Sequence, residues 1–290
     1  MPANWSLMTT SLVETENVFN SRLAIEHITK TWPICLWFGG AYVLLVKWGQ
    51  WFMKDKERFN LRIPLALWSG ALAVFSITGT VRSAPELYDA VFNQGFRYSV
   101  CNPRYFLDGP SAFWSFVMLY SKFVELGDTA FIILRKQPLI FLHWYHHTTV
   151  MCYGTYSYGQ LVATGRWYVV MNYAVHSVMY TYYTLKALRF HIPKQISMLI
   201  TTSQILQMVV GIITNFAGLY YLKYSQNCRT SIENISLAFA MYTSYFILFA
   251  HFFYTVYVKS RPSKTKQMNG QNGTTHVVSN GVSNNNKKDR

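Results

Sequence analysis

The sequence predicts an all-α protein that crosses a membrane seven times. Apolar residues make up 51% of its 290 residues and charged residues only 13%, which is about half the usual charged share of a soluble domain. Seven apolar stretches are long enough to cross roughly 30 Å of hydrocarbon as helices. These predicted spans are residues 33–52, 65–81, 113–134, 139–158, 167–188, 196–221 and 235–258.

The first span begins at Pro33. A cleavable signal peptide occupies roughly the first 15 to 30 residues, so we expect this span to be an uncleaved anchor. The predicted regions are therefore an N-terminal segment, 1–32, a seven-helix membrane domain, 33–258, and a basic tail, 259–290.

Basic residues are concentrated on one side of the predicted bundle. They are Lys54, Lys56, Arg58, Arg62, Arg135, Lys136, Lys186, Arg189, Lys194, Lys259, Arg261, Lys264 and Lys266. The positive-inside rule places this side, with the C-terminus, in the cytosol, and an odd number of spans then makes segment 1–32 lumenal. Topology and attraction to anionic lipid explain most of the +14 net charge, so we expect no nucleic-acid partner.

The tail and the N-terminal segment carry signals that fit an endoplasmic reticulum membrane protein. From Pro262 onward the chain is rich in Asn, Gly, Ser and Lys and lacks aromatic residues, which predicts disorder. Lys287 and Lys288 match a dilysine retrieval signal, although a basic tail also produces such a pair by chance. Asn4-Trp5-Ser6 is a glycosylation sequon on the lumenal side, whereas the sequon at Asn272 is cytosolic.

The four cysteines fall into two pairs. Cys35 and Cys152 lie within spans and are expected to be small apolar core residues. Cys101 and Cys228 lie in connections on the oxidising, lumenal side. Either a disulfide joins them or both are free thiols.

Three imidazoles share one face of the fourth span. In the sequence His143-Trp144-Tyr145-His146-His147, the last two histidines lie roughly 60° and 40° to either side of the first on a helix. Ionisable groups at bilayer depth are costly and usually line a reaction or transport site. This histidine box is therefore the strongest functional signal.

Polar side chains also form stripes on the third, fifth and sixth spans. The stripes are Lys122, Glu125 and Thr129 with Asp128 at the flank; Asn172, His176, Met179 and Tyr183 with Tyr180 beside them; and Thr201, Gln204, Gln207, Gly211 and Asn215. Each stripe alone could be interhelical hydrogen bonding. If they face the histidine box, together they enclose a polar chamber in the cytosolic half.

These motifs resemble the ELO family of very-long-chain fatty acid elongases. The signatures stand as Lys122-x-x-Glu125-x-x-Asp128-Thr129, His143-x-x-His146-His147, Asn172-x-x-x-His176-x-x-Met179-Tyr180-x-Tyr182-Tyr183 and Thr201-x-x-Gln204-x-x-Gln207. The flanks 131–136 and 141–147 look like the branch acting on saturated and monounsaturated chains, of palmitate or stearate type. The polyunsaturated branch usually has Gln where this chain has Pro138.

The resemblance implies an acyltransferase that condenses long-chain acyl-CoA with malonyl-CoA to 3-oxoacyl-CoA, carbon dioxide and CoA. An imidazole can carry the acyl group, and the resemblance points to His146 as that nucleophile, with His176 acting at the reacting carbonyl. His143, His147 and Asn172 would orient the site, although His143 and His147 could equally be structural. The alternative to an acyl-imidazole is direct attack of the malonyl enolate on bound acyl-CoA.

The same resemblance implies how the substrates are held. Lys122, Arg135, Lys136 and Lys194 are candidates to bind the CoA phosphates at the cytosolic mouth, although any of them could simply set the topology. Further candidate binding residues are Gln204, Gln207 and Tyr180. The acyl chain would lie in an apolar tunnel running toward the lumen.

We expect no cofactor and no metal. Expected partners are membrane lipids, the 3-oxoacyl-CoA reductase, dehydratase and enoyl-CoA reductase that complete the cycle, and a second copy in a homodimer.

Two other classes remain as alternatives. The first is a membrane di-iron oxidoreductase, because that class also contains HxxHH and imidazole is a ligand that suits iron. Its sites, however, generally need about eight histidines in three boxes. A seven-helix receptor or transporter explains the number of spans but not the clustered His, Lys, Glu and Asp.

Overall fold

The computed structural model describes residues 5–225 and 227–259, and every regular element in them is helical. The α-helices are α1 Trp5–Val18, α2 Ser21–Thr31, α3 Ile34–Phe52, α4 Arg62–Tyr88, α5 Phe96–Cys101, α6 Gly109–Glu125, α7 Gly127–Leu134, α8 Phe141–Gly159, α9 Gly165–Ala187, α10 Lys194–Tyr224 and α11 Ile232–Phe253. Single π-helical turns extend α4 and α11, at Asp89–Asn93 and Tyr254–Val258. The all-α prediction is confirmed.

Every predicted span coincides with one helix or with two consecutive helices. Within the described residues, three helices are long and apolar enough to cross a membrane by length and composition alone, Arg62–Asn93, Lys194–Tyr224 and Ile232–Val258. The other four predicted spans correspond to α3, to α6 with α7, to α8 and to α9. Polar side chains such as those of the histidine box lower the apolarity of α8.

The third predicted span, 113–134, consists of two consecutive helices rather than one. The helix breaks at Leu126, which ends α6 and precedes α7. Gly127 allows α7 to approach α4, because a Cβ atom there would lie 2.6 Å from the ring of Trp68. The break separates Thr129 from the stripe predicted with Lys122 and Glu125.

The N-terminal segment is folded onto the bundle. In α2, the Thr29 hydroxyl donates to the Gly159 carbonyl at the end of α8 (3.2 Å), and the Ser21 hydroxyl donates to the Leu107 carbonyl (2.8 Å). The sequon at Asn4, the sequon at Asn272, the dilysine pair Lys287 and Lys288, and the tail from residue 260 lie outside the described residues.

Hydrogen bonds join the loops at one end of the bundle, which we call the basic end. The Phe59 N–H donates to the Leu134 carbonyl (3.0 Å), which joins the α3–α4 loop to α7. Lys136 Nζ donates to the Lys54 carbonyl (3.0 Å). Arg62 Nε donates to the Ala187 carbonyl (2.9 Å). These bonds hold together the loops that carry many of the basic residues.

A disulfide marks the opposite, disulfide end of the bundle. Cys101 and Cys228 are bonded, so the disulfide alternative is confirmed. The Arg229 N–H donates to the Cys101 carbonyl, and the Ala163 N–H donates to the Arg229 carbonyl, each at 2.9 Å. The buried Arg166 side chain pairs with Glu86 nearby (2.8 Å). This end is therefore fixed by covalent and ionic links.

Reduction of the disulfide should lower the melting temperature of the protein. The bond closes a loop with a sequence separation of 127 residues, for which chain-entropy models give roughly 4 to 5 kcal/mol, often reduced by native-state strain. Melting of purified protein with and without reductant measures the effect. Recovery of both cysteines as free thiols from freshly isolated membranes would contradict the pairing.

Gly79→Ala should destabilise the protein because α4 and α9 touch there. A Cβ atom at Gly79 would lie 2.5 Å from the Tyr173 ring, and overpacking of this kind costs about 1 to 3 kcal/mol. Gly40→Ala on α3 is the matched control, because nothing lies within 4 Å of its added Cβ. Equal thermal melts for the two variants would contradict this packing.

Candidate active site

A buried polar network links α6 to α9 in the bundle interior. Lys122 Nζ donates to Glu125 (2.7 and 3.0 Å) and to Asn172 Oδ1 (2.8 Å). Asn172 Nδ2 lies 3.2 Å from His176 Nε2, and His176 Nδ1 lies 3.7 Å from Glu125. All four side chains are buried. We call these four residues the lysine network.

The lysine network balances its own charges. A buried ammonium group requires a nearby anion and further hydrogen-bond acceptors, since its desolvation is costly. Glu125 supplies the anion and Asn172 the additional acceptor. Ser121 donates a further hydrogen bond to Glu125 (2.9 Å). The network therefore fixes where Asn172 and His176 lie relative to α6.

The histidine box of α8 divides between two environments. His143 Nε2 lies 3.0 Å from the Thr129 hydroxyl, which lies 2.6 Å from the Tyr42 hydroxyl. His147 is buried with its ring centroid 4.4 Å from that of His143. His146 is half-buried, and its ring centroid lies 4.9 Å from that of Tyr245. Of the three, His143 is thus held by side-chain hydrogen bonding.

Two cavities meet at His146. The wide cavity, about 710 Å³, is lined by Arg135, Lys186 and Lys194 of the basic-end connections and by all three histidines of the box. The narrow cavity, about 100 Å³, extends toward the disulfide end and is lined mainly by apolar and aromatic side chains. His146, Asn172, Gln207 and Met208 line both cavities. The wide cavity thus carries the histidines and the cations, and the narrow cavity is mainly apolar.

Most of the predicted site residues line the wide cavity. They are His143, His146, His147, Asn172, His176, Tyr180, Gln204, Gln207, Arg135 and Lys194. Gln204 donates to the Met179 sulfur at 3.4 Å. The histidine box and members of all three polar stripes therefore meet as the sequence predicts. In the third stripe, Asp128 lines the wide cavity, Thr129 contacts His143, and Lys122 bonds to Asn172.

The predicted role of Lys122 as a phosphate ligand at the mouth is wrong. Its side chain is buried, contacts Glu125 and Asn172, and lines the narrow cavity rather than the basic end. Lys136 does lie at the basic end, but its ammonium group bonds to the Lys54 carbonyl and it does not line the wide cavity. Lys186, which the sequence analysis did not select, lines that cavity.

Sequence reasoning also missed two aromatic partners of the site, Trp68 and Tyr42, and it selected Tyr180 only as a candidate binding residue. The Trp68 indole and the Tyr180 hydroxyl donate to the two oxygens of Asp128 (2.6 and 2.7 Å). The Tyr42 hydroxyl lies 2.6 Å from the Thr129 hydroxyl. Single aromatic residues in apolar spans give no sequence signal that distinguishes such partners from lipid-facing side chains.

The arrangement favours imidazole chemistry over thiolate chemistry. Cys152 directs its thiol to the Cys35 carbonyl (3.4 Å) and lines neither of the two cavities. Imidazole is a nucleophile that forms reactive acyl intermediates. Across residues 5–225 and 227–259, no three His, Cys, Asp or Glu side chains are grouped to hold a metal ion, so the donor geometry does not support the di-iron alternative.

Comparisons with known proteins agree on one family. The ELO model, described as the GNS1/SUR4 family, matches residues 27–265. Very long chain fatty acid elongase 6 of Drosophila melanogaster is 45% identical over 266 residues, which are 91% of this chain and 84% of that protein. The Homo sapiens elongase 6 is 41% identical over 263 residues, 91% and 99% of the two chains. Homo sapiens elongase 3 is 46% identical over 242 residues, 83% and 88%.

Thr129→Val should destabilise the protein, because it leaves the buried Tyr42 hydroxyl and His143 without their shared partner. A buried polar group that loses its hydrogen bond costs about 1 to 3 kcal/mol. Thr148→Val on α8 is the control, because the Thr148 hydroxyl bonds only to the carbonyl of Trp144 in its own helix. Equal thermal stability of the two variants would argue against the Tyr42–Thr129–His143 chain.

Proposed function

Because the chain belongs to the ELO (GNS1/SUR4) family and is a fatty acid elongase condensing enzyme, we propose that it joins a long-chain saturated or monounsaturated acyl-CoA to malonyl-CoA. The products are a 3-oxoacyl-CoA two carbons longer, carbon dioxide and free CoA. One observation carries the proposal: a wide cavity from the basic end and a narrow apolar cavity meet at His146. Such a site can hold the polar CoA on one side and, once the narrow cavity widens, an acyl chain on the other.

The CoA portion of each substrate occupies the wide cavity. CoA is polyanionic, and Arg135, Lys186 and Lys194 place cations at the cavity's basic end. Malonyl-CoA carries the same nucleotide, so one set of cations serves both substrates in turn. Both are substrates, and the reaction needs no further cofactor.

The acyl chain occupies the narrow cavity. His146 and Tyr158 both line it and are 12 residues apart on α8, an axial distance of about 18 Å. At C–C bonds of about 1.5 Å and angles near 111°, an extended chain of about 14 carbons covers that distance. This length supports a long-chain substrate of the palmitate or stearate type.

The narrow cavity must widen when a chain enters. Its volume, about 100 Å³, is less than the roughly 150 Å³ of a cavity that binds one benzene ring. Met118, Met208 and Met241 line it, and methionine side chains are flexible enough to move aside. The acyl chain would thus replace side-chain contacts with its own apolar contacts.

The chemistry proceeds in two half-reactions. An imidazole nitrogen of His146 attacks the thioester carbonyl, the C–S bond breaks, and CoA leaves with a proton. Malonyl-CoA then loses carbon dioxide, and the resulting enolate attacks the acyl-imidazole. A C–C bond forms, the C–N bond to His146 breaks, and the leaving imidazole takes up a proton from water. His176 and Asn172, held by Lys122 and Glu125, stabilise charge that develops on the carbonyl oxygen.

We further propose that the enzyme lies in the endoplasmic reticulum membrane, with its N-terminus in the lumen and its C-terminus in the cytosol. The positive-inside rule supports a cytosolic basic end. The Cys101–Cys228 bond supports an oxidising environment at the other end. A reductase, a dehydratase and a second reductase must act next, because a 3-oxo group needs reduction, dehydration and reduction to become a saturated chain.

Long-chain acyl-CoA alone should acylate His146. Purified protein should release one CoA per active enzyme and retain an acyl mass on the peptide containing residues 143–147, and malonyl-CoA should remove that mass. His146→Ala should abolish the burst and the adduct. His176→Ala should slow condensation by about 100-fold or more, since it removes a stabilising donor.

The control is His251→Ala, because His251 is an exposed histidine of α11 that lines neither of the two cavities. It should condense at the normal rate. CoA release that depends strictly on malonyl-CoA, or normal condensation by His146→Ala, would replace the acyl-imidazole with direct attack on bound acyl-CoA. Failure of the unaltered protein to condense any acyl-CoA would contradict the proposed function itself.

A further inference from the structure

The N-terminal helix α2 lies directly behind the far end of the narrow cavity. Ile28 of α2 is buried in one cluster with Tyr105, Phe106, Leu119 and Tyr158. Those four residues line the narrow cavity, whereas Ile28 does not. These four residues therefore form the floor of the narrow cavity, and Ile28 packs against that floor from outside.

The floor is built of aromatic rings on a short irregular segment. Tyr105 and Phe106 belong to a single 3₁₀ turn, Arg104–Phe106. The Tyr105 hydroxyl donates to the Val162 carbonyl (3.2 Å), and the Phe106 ring meets the Tyr158 ring edge to face with centroids 5.0 Å apart. A 3₁₀ turn has few hydrogen bonds of its own. Its position thus depends on what packs behind it.

The helix α2 is held close to this floor. The Thr29 hydroxyl bonds to the Gly159 carbonyl, and a Cβ atom at Gly159 would lie 3.2 Å from Thr29 Cα. The Ser21 hydroxyl bonds to the Leu107 carbonyl, next to the floor turn. No space therefore remains between α2 and the end of α8 for the floor to retreat.

The preceding helix α1 is anchored as well. Glu16 is buried and accepts hydrogen bonds from Trp114 Nε1 of α6 (2.7 Å) and from Arg82 Nε of α4 (2.9 Å). A buried carboxylate with a cationic partner is costly to separate from it. Both N-terminal helices are thus fixed to the bundle around the closed end of the narrow cavity.

We propose that the N-terminal helices set the maximum acyl-chain length, with Ile28 as the specificity-determining residue behind the floor. This rests on the proposed function, because it takes the narrow cavity to hold the acyl chain. A chain longer than the cavity must push Tyr105 and Phe106 outward, and Ile28 blocks that movement. Removing part of Ile28 lets the floor retreat and admits longer substrates.

The test uses full-length protein in detergent with saturated acyl-CoAs of increasing length and labelled malonyl-CoA, and product lengths are read by mass spectrometry. The measured quantity is a rate ratio: the rate on a substrate two carbons longer than the preferred one, divided by the rate on the preferred one. In Ile28→Ala this ratio should rise about tenfold, which is the usual scale for methylene discrimination in an apolar pocket. Ile28→Phe should lower the same ratio. Leu23→Ala, an apolar but exposed position on the same helix, should leave it unchanged.

Unchanged ratios in both Ile28 variants, with thermal melts showing them folded, would overturn the inference. If Ile28→Ala does not fold, Ile28→Val should give a smaller rise in the same ratio, and no rise would equally overturn it. A Leu23→Ala shift as large as that of Ile28→Ala would assign the effect to α2 in general and refute the role of Ile28. Absence of condensation by the unaltered protein would instead refute the proposed function, and the inference with it.

Discussion

The buried ion pair of Lys122 and Glu125 is the constraint on which the site depends. An ammonium group in the interior of a membrane bundle is tolerated only when its partners surround it. Here the partners come from the same helix, through Glu125, and from α9, through Asn172. Satisfying this one charge fixes α9 against α6 and so holds His176 at the wall of the wide cavity.

The second constraint is the position of α8 between two cavities of different polarity. Its basic end faces a wide cavity with cations, and its other end faces a narrow apolar cavity that closes at aromatic rings. His146 lies where the two meet, so a molecule with a polar head and an apolar chain has one natural orientation. In the proposed function, the same separation divides binding of the CoA head group, near Lys194, from the limit on acyl-chain length, near Tyr105.

Much of this arrangement could be predicted from periodicity and spacing. Helical phase brings the polar residues of four helices to one chamber, and the placement of Cys101 and Cys228 in connections on the same side allows their disulfide. The helix break at Leu126 could not be predicted, and neither could the close approach of Gly127 to the Trp68 ring across helices. Sequence patterns describe one helix face at a time and carry no information on such contacts.

The prediction that Lys122 lies at the cytosolic mouth failed for a related reason. A lysine inside a predicted span is compatible with a phosphate site and with a buried ion pair, and the position of Asn172 on another helix decides between them. The packing of Ile28 against the floor is equally invisible, because segment 1–32 is mixed in polarity and its tertiary partners are far away in sequence.

A double-mutant cycle on Lys122 and Glu125 tests the central constraint most directly. The free energy of unfolding is measured in detergent for Lys122→Met, Glu125→Gln and the double variant, with the exposed pair Lys30 and Glu26 as the control cycle. Each single change should destabilise by about 3 to 5 kcal/mol because it leaves a buried charge unpaired. The loss of stability in the double variant should then be smaller than the sum of the two single losses by at least about 2 kcal/mol. The coupling energy of the control pair should be about 0.5 kcal/mol or less. Additive losses at Lys122 and Glu125 would contradict the account.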